Sequence, residues 1–583
     1  MTLTLGLHTG HEASAALLED GRMLAAISNE RLSRIKNDGG RLSSEAIDEV
    51  LRIAGKGRHD IDRLALLLTF FPEHYFRRES LGKELERRLV RLRRRWSNRD
   101  PSQMLLSGFI ERLQARGKRF EDHFLADQFL NEQRFTGASA NFYDHHDSHA
   151  MAAAYYSGFS RCAVVTIDGN GDGNVSHTSG TWVNGQYSRK HVTNALGASP
   201  GHFYSHITRL LGFQPLRHEG KIVGLAALGN ANLLTSVFRK ALAVHADGAT
   251  FKSDFEGEED PEDARFEFLK QASVGVARED VAAAAQQVLE DSVIDLIRRF
   301  LDETGERHIA LNGGVFANVK LNQRIAALGS VESIFVFPAM SDTGNAVGAA
   351  LLDLVRADPT ALKGAGRLDH VYWGPEYSDE EIRRCLDAAG VQAVHLCDDE
   401  LIERAAAAIH SGKILGWFQG RMEFGPRALG NRSMLARPTE AKINDWLNQR
   451  LDRSEFMPFA PSVLAEKAAT VFEGVEKARH TAEFMTITFD VRKEWRDRIP
   501  AVVHVDGTAR PQLVRQAVNP KYHSLISEYE RLSGIPLVLN TSFNVHEEPI
   551  VCAPNEAIRA LSEGRVDCLA VGSWWAEGPT KHE

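Results

Sequence analysis

Apolar and polar positions follow the same order in two separate parts of the chain. Residues 3–7 form an apolar run, followed by a glycine-containing turn, a second apolar run at 13–18, a hairpin and a third run at 22–28. Residues 163–189 repeat this order, with an Asn-Gly pair at the hairpin. Short apolar runs between turn residues indicate buried strands, and Asn-Gly is typical of two-residue hairpin turns. The pattern therefore predicts two copies of a three-stranded unit.

Two such copies in one domain are typical of the actin, sugar-kinase and heat-shock ATPase architecture, in which glycine-rich hairpins bring backbone amides to nucleotide phosphates. A long helix is predicted at residues 278–303, and strands that run into glycine-rich segments begin at 309 and 334. We therefore expect an α/β fold with a duplicated, actin/sugar-kinase-like (ASKHA) N-terminal domain. A change in composition around 358–375 indicates a second domain. The predicted organisation is a first domain at 1–365, a linker at 366–392 and a second domain at 393–583.

The composition limits the classes of function. The chain has 583 residues, enough for at least two domains, and 43% of them are hydrophobic. A net charge of −9 argues against a general nucleic-acid binder, because such proteins carry a basic excess that neutralises phosphates. Five cysteines without a CxxC pair indicate a reducing compartment. No apolar run reaches the roughly 18 residues of a membrane span. We therefore expect a cytoplasmic protein that does not enter membranes.

Candidate metal ligands are spread over three motifs. His145 and His149 lie four residues apart in a stretch that predicts a helix, so both imidazoles occupy one helix face. Asp168 and Asp342 each follow an apolar strand, at ends where carboxylates can meet. Two imidazoles and two carboxylates form a ligand set suited to iron, manganese or zinc. The alternative for the histidine pair is helix capping or packing.

Arginines are concentrated in two segments. Residues 419–433 place three arginines among glycines in a turn-rich stretch, where guanidinium groups can bind phosphate or carboxylate. A polar segment after the strand at 536–539 can contribute amide and hydroxyl groups. The candidates for this anion site are Arg421, Arg427, Arg432, Arg510, Asn540 and Ser542. Residues 87–96 hold another arginine cluster, but leucines at helical spacing favour a solvated amphipathic helix there over a contact with an acidic partner.

Motifs along nearly the whole chain resemble those of the NodU/CmcH-type O-carbamoyltransferases. By the number of the first residue, they are HxASA at 11, ERLSR at 30 followed by Lys36, HxxxH at 145, DG at 168, HEGK at 218, GG at 313, DxG at 342, RMEFGPRALGNR at 421 and NTSFN at 540. The block at 421 is highly specific. The resemblance implies an N-terminal domain similar to the tRNA threonylcarbamoyl transferase TsaD and an α+β C-terminal domain similar to YrdC.

The resemblance also implies a two-step reaction. In this family the C-terminal domain converts carbamoyl phosphate and ATP into carbamoyl-adenylate, and the N-terminal domain transfers the carbamoyl group to an acceptor hydroxyl. Adenylation suits this chemistry, because carbamate is a poor acyl donor and a phosphate leaving group lowers the barrier to transfer. The expected cofactors are a divalent metal, Fe²⁺ ahead of Mn²⁺ or Zn²⁺, and ATP with Mg²⁺. The expected partners are carbamoyl phosphate and a small-molecule acceptor such as an antibiotic, a sugar or another secondary metabolite. The oligomeric state stays open, with a homodimer as one option.

The roles of individual residues follow from the matched motifs. The resemblance implies metal binding by His145, His149, Asp168 and Asp342. His11 would take the acceptor proton, a role suited to an imidazole, although a turn histidine can also simply bond the backbone. The residues implied to hold the adenylate are Lys36, Gly169, Gly313, Gly314 and Asn318. The six anion-site candidates would hold carbamoyl phosphate and ATP. The expected acceptor wall consists of His218, Glu219 and Lys221.

The chain departs from the family pattern in the His11 motif, where Glu12 replaces the common Asp or Asn, and at two positions of a second motif. Better-known members carry cations around the Pro-Phe-Ala-Pro motif, where this chain has Asp452 and Met457. We expect Arg453 to compensate, in which case Arg453→Ala should change the dependence on carbamoyl phosphate. The alternatives for the whole chain are a tRNA threonylcarbamoyl transferase, which the acidic charge and the second domain disfavour, and a catalytically silent nucleotide-binding scaffold. A metalloprotease is less favoured, because the HxxxH motif lacks the glutamate of HExxH.

Overall fold

The computed structural model describes residues 1–67, 71–77, 123–194, 196–363, 366–444, 450, 459–545 and 547–578. The arginine cluster at 87–96 and the substituted positions Asp452 and Met457, with Arg453, lie outside these ranges. The described strands form two five-stranded sheets in the N-terminal part, an eight-stranded sheet in the C-terminal part and two small two-stranded sheets.

The two N-terminal sheets have the same strand order. The first has the order β3-β2-β1-β4-β5 and contains β1 (Leu3–His8), β2 (Ser14–Glu19), β3 (Arg22–Ser28), β4 (Arg63–Leu67) and β5 (Ser139–Tyr143). The second, given in the matching direction, has the order β8-β7-β6-β11-β12 and contains β6 (Arg161–Ile167), β7 (Val175–Val183), β8 (Gln186–Asn194), β11 (His308–Asn312) and β12 (Ser333–Val336). Between β8 and β11 in the chain, β9 (Ala243–Val244) and β10 (Phe251–Lys252) form a separate small pair. In both sheets the first three strands are antiparallel and the last two join in parallel. The duplicated, actin/sugar-kinase-like α/β domain predicted from the sequence is thus confirmed.

Helices connect and cover these sheets. Those of seven or more residues are α1 (Ser44–Ala54), α2 (Ala126–Glu132), α3 (His145–Tyr156), α4 (Pro200–Leu210), α5 (Glu219–Ala226), α6 (Pro261–Ala272), α7 (Arg278–Thr304), α8 (Val319–Ala326) and α9 (Asn345–Ala357). The predicted long helix is α7, which packs its apolar side against α5 and the second sheet. No helix in the described ranges combines the length and the apolar composition that a membrane span requires.

Helices α3 and α9 occupy equivalent places, after the last strand of each half. Each helix packs on the sheet of the other half: α9 packs on β1 and β4 of the first sheet, and α3 packs on β11 and β6 of the second. The two helices also cross in close contact. A Cβ atom on Gly348 would lie 1.8 Å from the backbone oxygen of Ser148, so only glycine fits this crossing. The crossing brings the start of α3 next to the start of α9.

The C-terminal part is a mixed sheet flanked by helices. Its strands are β13 (Ala393–His395), β14 (Leu415–Phe418), β15 (Arg432–Ala436), β16 (Ala460–Leu464), the small pair β17 (Phe489–Asp490) and β18 (Thr508–Ala509), then β19 (Gln512–Val514), β20 (Leu537–Ser542), β21 (Cys568–Val571) and β22 (Trp574–Glu577). The order in the large sheet is β13-β22-β21-β14-β15-β20-β16-β19, with parallel and antiparallel pairs. The longer helices are α10 (Asp379–Ala388), α11 (Asp398–His410), α12 (Pro520–Ser533) and α13 (Pro554–Ser562). This is an α+β arrangement.

The segment at 366–392, predicted as a linker, contains ordered and buried structure. Helix α10 packs on α13 and β22, and its Ile382 is 1% exposed. Val371 and Trp373 are buried as well, and the backbone oxygen of Trp373 accepts a hydrogen bond from Ala26 in the first sheet at 3.1 Å. The segment therefore contacts both parts of the molecule.

Candidate functional site

Four side chains converge beside the crossing of α3 and α9. His145 and His149 lie on α3, Asp168 follows β6, and Asp342 begins the turn that leads into α9. The Nε2 atoms of the two histidines are 3.2 Å apart, and each lies 3.2–3.5 Å from one oxygen of each carboxylate. The donor atoms of all four residues lie within 4.8 Å of one another. The sequence-predicted ligand set is therefore assembled at one place.

These separations fit one metal ion. With metal–ligand bonds of about 2.1 Å, neighbouring donors in a tetrahedral or octahedral sphere are about 3.0–3.4 Å apart. The two histidine side chains are at most 1% exposed, whereas the carboxylates retain 18–19% exposure. A bound ion would therefore be enclosed on the imidazole side and reachable from the carboxylate side. Two neutral imidazoles and two carboxylates would also balance the charge of a divalent cation.

The charges of this cluster are strongly coupled. Burial alone would lower the pKa of His145, but the carboxylates of Asp342 and Asp168 outweigh it and raise the pKa to about 10. Burial would raise the pKa of Asp168, but the hydrogen bonds from His145 and His149 hold it well below its usual range. The pKa of Asp342 is lowered as well, because the charge on His145 outweighs the effect of burial. Without a cation, the carboxylates thus keep a proton on His145 that a divalent ion would displace.

Three further side chains adjoin the cluster, and the sequence predicted no role for them. His8 ends β1, with its Nε2 atom 3.7 Å from Asp342 Oδ2, and burial lowers its pKa to about 4. The Nδ2 atom of Asn345 lies 3.2 Å from His149 Nε2. His146 bonds a threonine hydroxyl of β6 and the backbone oxygen that begins β7, and so fixes the loop between them. The internal repeat could have revealed His8, because β1 is the counterpart of β6, which Asp168 follows.

The glycines near Asp168 allow close backbone packing. Gly313 has φ +100°, and a Cβ atom there would lie 2.3 Å from the backbone oxygen of Ile167. A Cβ atom on Gly314 would approach Asp168 Oδ1 to 3.0 Å. Gly169 donates its N–H to the same Asp168 oxygen at 2.7 Å. A side chain at 313 would therefore push β6 away from this loop and displace Asp168, which directly follows β6.

His11 lies in the turn after β1, beside the cluster. Its backbone oxygen is 2.9 Å from His8 Nε2, and its own Nε2 atom is 3.2 Å from Asn37 Nδ2. Asn37 also donates to the backbone oxygen of Leu216 at 3.1 Å. A continuous chain of contacts therefore runs from Asp342 through His8, His11 and Asn37 to the loop before α5.

That loop borders a cavity of about 330 Å³ between the N-terminal and C-terminal parts. Cationic side chains from both parts line it, together with polar groups at the end of β20. The sequence-predicted residues in its lining are Lys36, His218, Lys221, Arg427, Arg510, Asn540 and Ser542. The volume is typical of small-molecule sites, and the cations with nearby hydroxyl and amide groups are suited to phosphate.

A salt bridge joins the two parts at this cavity. Glu547 accepts a hydrogen bond from Arg217 at 3.2 Å and lies 2.9 Å from His218 Nε2. Arg217 also donates to the backbone oxygen of Lys36 at 2.9 Å. Arg217 and Glu547 are 330 positions apart, and no motif in the sequence indicated their pairing.

Arg421 and Arg432, predicted for the anion site, are directed elsewhere. Arg421 donates to the backbone oxygens of Leu24, Trp373 and Gly374, so it ties the 366–392 segment to the first sheet. Arg432 is fully buried over the ring of Phe418 at 3.6 Å and donates to four backbone oxygens. Neither belongs to the described lining of the cavity.

Two other candidates have partners within the fold. Asn318 caps α8 by accepting the N–H of Leu321 at 3.1 Å and exchanges two hydrogen bonds with the buried Gln286. Glu219 accepts hydrogen bonds from the backbone of Leu216 at 2.7 Å and from the hydroxyl of Ser205 at 3.1 Å. Both residues therefore shape the walls of the site through their neighbours.

Comparison with known proteins places these features in a family. The family model described as carbamoyltransferase N-terminus matches residues 3–351, and the one described as carbamoyltransferase C-terminus matches 406–577. Nodulation protein NolNO of Sinorhizobium fredii is 34% identical over 573 residues, which cover 97% of this chain and 78% of that protein. Nodulation protein U of the same organism is 28% identical over 603 residues, which cover 98% of both chains.

Among solved structures, HypF of T. kodakarensis is 12% identical with a TM-score of 0.35, over 62% of this chain and 48% of that one. This likeness is too low to bear on function. The two family models together span most of both parts of the molecule, and the relatives match it from end to end. The chain belongs to the carbamoyltransferase family and is a carbamoyltransferase.

Proposed function

We propose that this carbamoyltransferase is ATP-dependent, that it makes carbamoyl-adenylate from carbamoyl phosphate and ATP, and that it transfers the carbamoyl group to a hydroxyl of a small-molecule acceptor. The observation that supports this is the pairing of a buried four-donor cluster with a cation-lined cavity between two domains. The contacts through His11 and Asn37 connect the two places. A single catalytic step would need only one of these two sites, the cluster or the cavity.

Adenylation is assigned to the cavity, with residues 393–583 as a YrdC-like domain. Water releases carbamate and orthophosphate from carbamoyl phosphate, and a carbamate oxygen then attacks the α-phosphorus of ATP while pyrophosphate leaves. Lys221, Arg427 and Arg510 would stabilise the phosphate charges, and the Ser542 hydroxyl would donate a hydrogen bond. A cavity lined by cations from both domains suits a step that handles two phosphate substrates.

Transfer is assigned to the metal cluster and residues 1–365. His145, His149, Asp168 and Asp342 would hold a divalent cation, with Fe²⁺ as the first candidate, and such an ion supplies electrophilic polarisation when bound. The acceptor oxygen attacks the carbamoyl carbon and AMP leaves. His11 is the proposed base for the acceptor proton, with its ring held by Asn37. The backbone at Lys36, Gly169, Gly313 and Gly314 would hold the adenylate.

The first test is pyrophosphate release from ATP by the purified protein, with carbamoyl phosphate present or omitted and no acceptor added. Release that requires carbamoyl phosphate is expected. The matched control is α,β-methylene-ATP, whose bond to the leaving pyrophosphate group cannot be cleaved in this way. If a metal-loaded protein releases no pyrophosphate even with acceptors present, the proposed adenylation is wrong, and the result favours the alternative of a catalytically silent nucleotide-binding scaffold.

The second test follows the carbamoyl group itself. Carbamoyl phosphate labelled with ¹⁴C is supplied with ATP and a panel of hydroxylated small molecules, and tRNA is offered in a parallel reaction. Label is expected in a small molecule and not in tRNA. Label that is found in tRNA alone would favour the threonylcarbamoyl transferase alternative instead.

A further inference from the structure

A histidine that is paired with a carboxylate lines the same cavity and has no role in the steps assigned above. His504 lies in the loop before β18, is 9% exposed and belongs to the cavity lining. Its Nδ1 atom is 3.2 Å from Asp506 Oδ1. Within the described part of the chain, no group forms a hydrogen bond with its Nε2 atom. The imidazole is thus held at one nitrogen and open at the other.

Asp506 is itself fixed by several donors. One of its oxygens accepts from the Thr508 hydroxyl at 2.6 Å and from the Thr508 N–H at 3.0 Å, and the other accepts from Lys320 Nζ at 2.8 Å. Burial would raise the pKa of Asp506, but these donors and His504 hold it well below its usual range. An ionised carboxylate at Nδ1 favours the tautomer with the proton on Nδ1, which leaves the Nε2 lone pair available.

Few other groups at the cavity can accept a proton. The described lining offers lysines, arginines, amides and hydroxyls, and besides His504 its proton acceptors are His218 and Glu547. Those two are bound to each other at 2.9 Å, and Glu547 also binds Arg217. The hydrolysis that releases carbamate needs a base that can take a proton from water. His504 is placed and paired for that task.

We propose that His504, oriented by Asp506, is the general base that activates water for the hydrolysis of carbamoyl phosphate. The Nε2 atom takes a proton from water while the water oxygen bonds to the carbamoyl carbon. The bond from that carbon to the bridging oxygen breaks, and orthophosphate leaves with the electron pair. The second proton of the water passes from carbamic acid to the departing phosphate, so the products are carbamate and hydrogen phosphate, and the first proton passes from Nε2 to solvent. This assignment rests on the proposed function, since it supplies a residue for its first step.

The test measures orthophosphate release from carbamoyl phosphate by the full chain. His504→Gln removes the base but keeps a polar side chain, and kcat is expected to fall by about 100-fold or more, with KM for carbamoyl phosphate little changed. The matched control is His523→Gln on α12, where an imidazole that is 8% exposed pairs with Glu466 at 2.9 Å outside the cavity lining. This control should keep the wild-type kcat.

A second variant separates catalysis from folding. His504→Ala leaves space in the cavity, and added imidazole is expected to raise the rate of this variant by at least about tenfold, because it replaces the missing base. Asp506→Asn is expected to lower kcat and to leave KM nearly unchanged. A lower Tm with unchanged kcat would show that Asp506 stabilises the fold and does not position His504. The proposal is overturned if His504→Gln keeps kcat within about threefold of wild type, or if the alanine variant is inactive, unfolds early and is not rescued by imidazole.

Failure of this inference differs from failure of the proposed function. If the wild-type protein releases orthophosphate but never pyrophosphate, the proposed adenylation is wrong. Slow orthophosphate release by His504→Gln would still support His504 as the base. If the wild-type protein makes pyrophosphate and His504→Gln does so equally well, only the base assignment falls. A wild-type protein that leaves carbamoyl phosphate intact overturns both.

Discussion

The candidate metal cluster and the cation-lined cavity are built in different ways. All four side chains of the cluster come from a duplicated domain, at the ends of strands or the start of a helix, and their donor atoms lie within 4.8 Å of one another. The cavity is lined by side chains from both parts of the molecule, and a salt bridge crosses between them. The sheets dictate where the cluster forms, whereas the cavity forms only where loops from two domains meet.

The arginines of the motif at 419–433 illustrate this difference. Arg427 lines the cavity, while Arg421 and Arg432, six residues before and five after it, hold backbone oxygens. The sequence identified the segment but not the direction of each side chain. Strand-end aspartates meet because neighbouring strands end together, but a long arginine side chain can reach either solvent, a ligand or the backbone.

The largest expected effect comes from removing one ligand of the cluster. His149→Ala should reduce the metal content from about one ion per chain to background and weaken metal affinity by more than about 100-fold, because outer-shell changes alone cost 10- to 100-fold. Acceptor carbamoylation should be lost while pyrophosphate release continues, since adenylation is assigned to the cavity. Metal content is measured by elemental mass spectrometry, with the two activities assayed in parallel.

The control for this variant is His177→Gln, another fully buried imidazole, which bonds Thr193 in the second sheet at 3.0 Å and is not a ligand. It should keep the metal. A His149→Ala protein that retains wild-type metal content would show that the cluster is not the metal site. Loss of pyrophosphate release together with the metal would show that the two places do not act separately.

Two arginines provide the next contrast. Arg510→Ala should raise KM for carbamoyl phosphate by about 10- to 100-fold, because it removes a cation from the cavity. Arg421→Ala should instead lower Tm and leave KM near that of wild type, since it removes three hydrogen bonds to backbone oxygens and costs about 2–4 kcal/mol of stability. Steady-state kinetics and thermal unfolding of both variants are the measurements. If Arg421→Ala raises KM as Arg510→Ala does without lowering Tm, the division between structural and binding arginines is wrong.

A smaller effect is expected from a neighbour of the ligands. Asn345 Nδ2 lies 3.4 Å from His145 Nδ1, the ring nitrogen that is not a candidate metal donor, so it helps to set the orientation of that ring. Asn345→Ala should weaken metal affinity by about tenfold, at the low end of outer-shell effects, without abolishing binding. Titration of the metal-free variant with Zn²⁺ measures this. An unchanged affinity would mean that α3 alone holds the rings in place.

The sequence predicted the cluster well because its signals are periodic. Apolar runs located β6 and β12, and the spacing of His145 and His149 placed them on one helix face, so convergence followed from the topology. His8 was missed because it was read as part of a turn and not as the end of β1, although the repeat pairs β1 with β6. The contact between Arg217 and Glu547 lacked any such signal, since it depends on how two domains meet.

The mildest test concerns the pH dependence of metal binding. Burial alone would lower the pKa of His145, but Asp342 and Asp168 raise it to about 10, so the metal-free protein holds a proton there near neutral pH. The proton must leave before Nε2 can bind a metal, so affinity should increase with pH, by up to about tenfold per pH unit, and level off above the pKa. The carboxylates add no pH dependence in this range, because the pKa values of Asp168 and Asp342 are lowered. Calorimetric titration with Zn²⁺ in two buffers of different protonation enthalpy should report about one proton released per ion. Release of none, with an affinity independent of pH, would mean that His145 is neutral before the ion arrives, so that the two carboxylates do not hold a proton on it.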